Sequence, residues 1–195
     1  MLPSALRGYP HRARVMATPG KPADVFIVED NDPDVFLVEE ALRSQGIPAQ
    51  LQRCQDGEEA IRALSKIGPA SLPDVIIIDL NLPKITGLDI LKHVRSLKQL
   101  DRVPVLILTS SQSKTDRALS LQLGADAYIA KPPTLPEFLA GVGSGIRTLL
   151  ERSQQRSGAR GHRHRLQLGP RGHRFTSSRS RMLAAKLRVI PCRVR

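Results

Sequence analysis

The chain has 195 residues, a formal net charge of +12, two cysteines, no tryptophan, two tyrosines and four phenylalanines. That length allows one ordinary domain with tails or two very small ones, and no apolar run approaches the ~20 residues that span a bilayer. Cys54 and Cys192 offer neither metal-ligand spacing nor a disulfide framework, which fits a reducing cytoplasm, and so few aromatics make a base-stacking nucleic-acid surface hard to build.

The charge divides the chain into three. Residues 1–22 carry Arg7, Arg12, Arg14 and Lys21 without an acid; with no sustained apolar core they read as a flexible basic segment, not a secretory signal. Residues 23–151 hold 13 basic and 18 acidic residues and form a mildly acidic centre. Residues 152–195 hold twelve Arg, one Lys and no acid.

In chain order, the centre alternates strand-like and helix-like segments. VFIV (25–28) is a continuous apolar run that ends in Glu29, Asp30, Asp32 and Asp34. Asp32 is placed to cap a helix with Pro33 in its first turn. Val35, Val38 and Leu42 then recur on one face until Gly46 closes it. QLQRC (50–54) alternates, as an edge strand does, and a helix follows over 57–66. VIII (75–78) ends at Asp79 and leads to a helix over 88–97. VLIL (105–108) ends in Thr109-Ser110-Ser111, with a helix over 114–123. AYI (127–129) is followed by Lys131-Pro132-Pro133 and a last helix over 136–150. Apolar runs without alternation suit strands covered on both faces.

Five strands and five helices in this order predict an α/β fold, a doubly wound five-stranded parallel sheet. Its expected strand order is 2-1-3-4-5, with the ligand crevice at the carboxyl ends of strands one and three. Glu29, Asp30 and Asp79 end those two strands. Like charges about 4 Å apart repel by roughly 4 kcal/mol at an effective dielectric near 20, so three carboxylates on one rim call for a counter-charge. A hard cation such as Mg²⁺ supplies it through oxygen ligands, with the backbone carbonyl of Asn81 as a further donor. Each acid taken alone reads equally well as a helix cap or a solvated loop residue. Thr109 and Lys131 end the next two strands and bring a hydroxyl and an ammonium to the same rim. A cation, a carboxylate nucleophile, a hydroxyl and a lysine are what phosphoryl transfer to an aspartate requires.

These residues carry a resemblance. Glu29-Asp30 after the first strand, Asp79 in DLNLPKITG, Thr109 in LTSS and Lys131 in AKPP, at intervals of 49, 30 and 22 residues from Asp30 onward, resemble the receiver domain of bacterial two-component response regulators. EDNDPDVFLVEEAL and DLNLPKITGLDIL further resemble stand-alone receivers that serve phytochrome-type and related histidine kinases. The resemblance covers residues 23 to about 148 and implies a flavodoxin-like receiver fold. By its terms Asp79 accepts a phosphoryl group from a kinase phosphohistidine, and Glu29, Asp30, Asp79 and the Asn81 carbonyl hold Mg²⁺. Lys131 pairs with Asp79 or its phosphate, and its peptide bond to Pro132 is cis. Thr109 turns its hydroxyl to the phosphoryl oxygen and Tyr128 swings inward behind it. Tyr128 also reads simply as a half-buried aromatic on the fifth strand. The implied protein is a phosphoacceptor with self-catalysed phosphotransfer and dephosphorylation, not a multiple-turnover enzyme, and homodimerisation through the fourth to fifth helix face follows by the same resemblance. Thr86 before Gly87 departs from the Asp or Asn that many relatives carry, a change expected to affect the turn more than the chemistry.

The tail, residues 152–195, is dominated by Gly, Ser, Arg and His and is expected to be mostly disordered, with one short basic amphipathic turn at 182–190. It would bind polyanions non-specifically and with strong salt dependence. His162, His164 and His173 read as part of a solvated Arg/His run rather than a metal site. A shifted reading frame or missed stop would also generate such a segment, and Met16 is a sensible alternative start. Two other readings compete with the receiver: a DNA-binding transcriptional regulator using the tail, and a haloacid-dehalogenase-type phosphatase using Asp30-Asn31-Asp32. Pro33 argues against the second, because it stands where that loop needs Gly or Thr.

Overall fold

A computed structural model of the chain describes residues 21–161 and 188–191. Its elements are β1 (Ala23–Val28), α1 (Asp32–Ser44), β2 (Ala49–Cys54), α2 (Gly57–Lys66), β3 (Val75–Ile78), α3 (Gly87–Ser96), β4 (Val105–Thr109), α4 (Lys114–Gln122), β5 (Ala127–Ala130), α5 (Leu135–Gly161) and β6 (Arg188–Pro191). The sheet runs β5-β4-β3-β1-β2-β6 with every pairing parallel. The five-strand order expected from the sequence is thus present, with one strand added outside β2.

Period-two side-chain alternation explains the unbroken apolar runs. Phe26, Val28, Ile76, Ile78, Val105 and Ile107 face one core with residues of α2 and α3. Val25, Ile27, Val75, Ile77, Leu106 and Leu108 face a second core with residues of α1 and α5. Every residue of β3 and β4 is buried, whereas β2 buries Leu51 and Cys54 and exposes Gln50 and Gln52.

Helix ends fix where the loops over the sheet begin. Asp56 accepts a hydrogen bond from Glu59 N at 2.8 Å at the head of α2, and Ser113 accepts from Asp116 N at 3.2 Å at the head of α4. Thr86, the departure noted above, caps α3 by accepting from Asp89 N while its hydroxyl donates to Asp89 Oδ2 at 2.7 Å. The cap of α1 is one residue earlier than the sequence suggested. Asn31 is the N-cap and makes no side-chain cap bond, while Asp32 opens the helix and pairs with Arg53. The Asp32 carboxylate thus takes the Arg53 guanidinium as its partner, a charge-assisted pair. Gly46 ends α1 at φ 64°, a conformation that favours glycine.

Two further differences concern the chain's second half. All peptide bonds among the described residues are trans, so the cis bond expected between Lys131 and Pro132 is not adopted; trans is favoured before proline by about 0.5–1 kcal/mol, and Lys131 reaches the rim without the cis isomer. Helix α5 continues past residue 150 to Gly161. Beyond it, Arg188–Pro191 pairs with β2 in the register Gln50↔Arg188 to Arg53↔Pro191. The basic turn expected at 182–190 therefore overlaps a strand at its end. The rest of the tail, including His162, His164 and His173, and residues 1–20 lie outside the described residues. Among the described residues no helix is long and apolar enough to cross a membrane.

Candidate functional site

Parallel pairing of β1 with β3 aligns Val28 with Ile78, so the next residues, Glu29 and Asp79, emerge side by side. Both are buried, at 3% and 5% exposure. Lys131 follows β5, and its backbone N donates to Thr109 O at 2.7 Å, which ties the ends of β4 and β5. From there its Nζ donates to Glu29 Oε2 at 2.8 Å, Asp34 Oδ2 at 2.7 Å and Asp79 Oδ2 at 2.9 Å.

The electrostatics follow from burial and from this one cation. Desolvation drives the Glu29 pKa above its ordinary value despite the opposing hydrogen bond from Lys131. Desolvation also works against the charge on Lys131, but hydrogen bonds to Asp34, Glu29 and Asp79 outweigh it and the ammonium's pKa is raised. Lys131 is therefore firmly cationic. When its three partners are ionised, one positive charge faces three negative ones.

The other oxygens of the acids are held by the loops themselves. Glu29 Oε1 accepts from Asn31 N at 3.1 Å and Asp79 Oδ1 accepts from Asn81 N at 3.1 Å. Gly87 packs directly under Asp79: a Cβ there would lie 2.1 Å from Asp79 O. Only glycine permits that approach. On the side of β4, Thr109 is fully buried. Its Oγ1 accepts from Ser111 N at 3.3 Å and lies 3.4 Å from Asn81 Nδ2, which also donates to Ser110 Oγ at 3.0 Å. Tyr128 is buried, its hydroxyl donating to Ser111 O at 2.9 Å, with the Arg117 guanidinium 5.8 Å from its ring centre.

The sequence-predicted residues therefore divide into groups. Glu29, Asp79 and Lys131 meet in direct contact. Thr109, Asn81 and Tyr128 form an adjoining layer linked through Ser110 and Ser111. Asp30 is exposed, and among the described residues no three His, Cys, Asp or Glu side chains stand grouped as a ready metal cage. Asp34 was missed as a site residue. Its only sequence signal was membership of the acidic run, and Lys131 is 97 residues away along the chain.

Comparison with known proteins identifies the family. Residues 25–142 match the response regulator receiver domain family. The chain is 37% identical over 140 residues to the transcriptional regulatory protein TrcR of Mycobacterium tuberculosis, a match spanning 72% of this chain and 50% of TrcR. It is 33% identical to response regulator Rcp1 of Synechocystis over 62% of this chain and 84% of Rcp1. The crystal structure of the phosphorylated cyanobacterial phytochrome response regulator RcpA superposes with a TM-score of 0.61 at 34% identity, covering 67% of this chain and 95% of RcpA. The Mn²⁺-bound form of Rcp1 superposes at 0.57 and 32% identity, covering 63% and 91%. Matched family, sheet order and a lysine set among carboxylates at the strand ends agree: the chain belongs to the response regulator receiver domain family.

Proposed function

We propose that this protein is the receiver of a two-component phosphorelay in the cytoplasm, taking a phosphoryl group on Asp79 from a sensor histidine kinase, of the phytochrome type by its likeness to RcpA. The observation that carries the reading is the contact between the buried Asp79 carboxylate and the Lys131 ammonium at 2.9 Å. In the transfer, an Asp79 oxygen forms the bond to phosphorus as the bond from phosphorus to the histidine nitrogen breaks. Lys131 moves from the carboxylate to a phosphoryl oxygen, with Glu29 and Asp34 keeping it cationic. Thr109 gives up the bond it accepts from Ser111 N and turns its hydroxyl to the new oxyanion. That rearrangement reaches Ser111, the residue whose carbonyl holds the Tyr128 hydroxyl. From there it reaches the surface of α4 and β5, where Leu119 and Leu121 are exposed. Two packings differing by a few kcal/mol suffice for such a switch.

The donor set fits a divalent cation, with Mg²⁺ the natural choice. Glu29, Asp30, Asp79 and the Asn81 carbonyl are all oxygen donors, and Mg²⁺ keeps several waters rather than demanding an all-protein cage. The excess of negative charge over the single Lys131 cation supports the same reading, as does the Mn²⁺-bound form of Rcp1. When bound, the cation neutralises the transferring oxygens.

Phosphotransfer profiling against purified, autophosphorylated histidine kinases tests the proposal. Fast transfer from one kinase to the full chain, absent in Asp79→Asn, is the expected result. Transfer that persists unchanged in Asp79→Asn would remove Asp79 from the role, and no transfer from any of the kinases would remove the phosphorelay reading.

A further inference from the structure

Arg53 lies in β2, its backbone in register with Ile27 of β1 on one side and Pro191 of β6 on the other. Its side chain is only 11% exposed. Nε donates to Glu29 O at 2.9 Å, a second guanidinium nitrogen donates to Asp30 O at 2.9 Å, and the third pairs with Asp32 Oδ1. One guanidinium therefore holds the main chain of two acids and the side chain of a third. Lys131 takes the Glu29 side chain in a separate contact.

We infer that Arg53 is a positioning residue for the divalent-cation site, fixing the main chain of Glu29 and Asp30 so that their carboxylates are held in place to serve the ion. The inference rests on the cation reading given above. Each carbonyl accepts from Arg53, so the guanidinium fixes where this stretch of main chain lies while the two side chains stay available as donors. The rigid fork of a guanidinium can serve three acceptors at once, whereas an ammonium is a compact point charge. Groups behind the ligands that orient them commonly decide metal affinity.

The two physical contributions of Arg53 have opposite signs. As a cation beside a cation site it opposes metal binding, so its removal on charge grounds alone strengthens binding. As the clamp on the loop it favours binding, and its removal weakens it.

Titration of the full chain with Mg²⁺ and with Mn²⁺ by calorimetry at fixed ionic strength separates these contributions. The variants are Arg53→Gln, Arg53→Lys and Asp32→Asn, each checked for metal-free thermal unfolding. Arg53→Gln is expected to weaken both ions about tenfold. Arg53→Lys keeps the charge, loses the fork and is expected to weaken them nearly as much. Asp32→Asn leaves both carbonyl bonds in place, and because Asp32 is 80% exposed it should change affinity by no more than about twofold. The metal-free carbonyl ¹³C shifts of Glu29 and Asp30 should move in both Arg53 variants and stay in Asp32→Asn. Equal or tighter binding by Arg53→Gln overturns the inference, as does parental affinity in Arg53→Lys; if Arg53→Gln does not fold, Arg53→Lys decides. A parent chain that binds neither ion removes the cation reading itself, an outcome distinct from a parent that binds and variants that match it.

Discussion

The Nζ of Lys131 and Oδ2 of Asp79 stand 2.9 Å apart, although 52 residues separate them in the chain. The contact exists because β5 and β3 end at the same rim and because Lys131 N is anchored to Thr109 O. It is also incomplete as an ion pair, since the same ammonium serves Glu29 and Asp34.

Replacing Lys131 by Ala leaves those three carboxylates without their cation. Breaking a buried pair by removing one partner costs about 3 kcal/mol or more, so urea unfolding of Lys131→Ala without metal should show a loss of that order. Added Mg²⁺ should raise the melting temperature more in Lys131→Ala than in the parent, because the ion then supplies charge that nothing else supplies. Equal Mg²⁺ responses would count against a shared site.

Glu29 carries a pH signature. Its folded-state pKa lies above the ordinary 4.5, chiefly through burial, so the folded chain holds this proton more tightly than the unfolded chain. The resulting stability is fully present below about pH 4.5 and is lost as pH rises through the folded value. Ionised Glu29 at neutral pH is thus a cost that Glu29→Gln removes. Metal-free Glu29→Gln should melt no lower than the parent at pH 7, with the difference between the two shrinking as pH falls towards 4.5, and should bind Mg²⁺ more weakly. Parallel stability profiles for the two proteins would contradict the burial of this carboxyl.

Gly87 is a backbone requirement of the site. A methyl group there would sit 2.1 Å from Asp79 O and 2.7 Å from Leu80 Cα. Overpacking of this kind costs about 1–3 kcal/mol. Gly87→Ala should lose that much stability in urea unfolding, and it should also be phosphorylated more slowly than a variant of equal stability elsewhere in the core.

The strands were legible because β1, β3 and β4 are covered on both faces, which leaves no polar position to interrupt VFIV, VIII or VLIL. Glu29, Asp79, Thr109 and Lys131 were legible for a related reason, since each follows the end of a strand run and the sheet order brings those ends together. What the sequence hid was set by packing between distant segments. Asp34 lies in the first turn of α1, and only the position of Lys131 makes it part of the site. Arg53 reads as a polar position on an edge strand until the loop carbonyls above it are in place. The cap of α1 slipped by one residue because Asn31 and Asp32 carry the same signal and a guanidinium had already engaged the second. Helix α5 outran its apolar pattern, and RVIP is too short an apolar run in a basic segment to be read as a strand.

Intact-mass spectrometry after incubation with acetyl phosphate and Mg²⁺ shows whether Asp79 is the phosphoacceptor. The full chain should gain the mass of one phosphoryl group, lose it to hydroxylamine as an acyl phosphate does, and gain nothing when Mg²⁺ is chelated or when Asp79 is replaced by Asn. The same mass gain in Asp79→Asn, or a parent chain that stays unmodified in the presence of Mg²⁺, would contradict it.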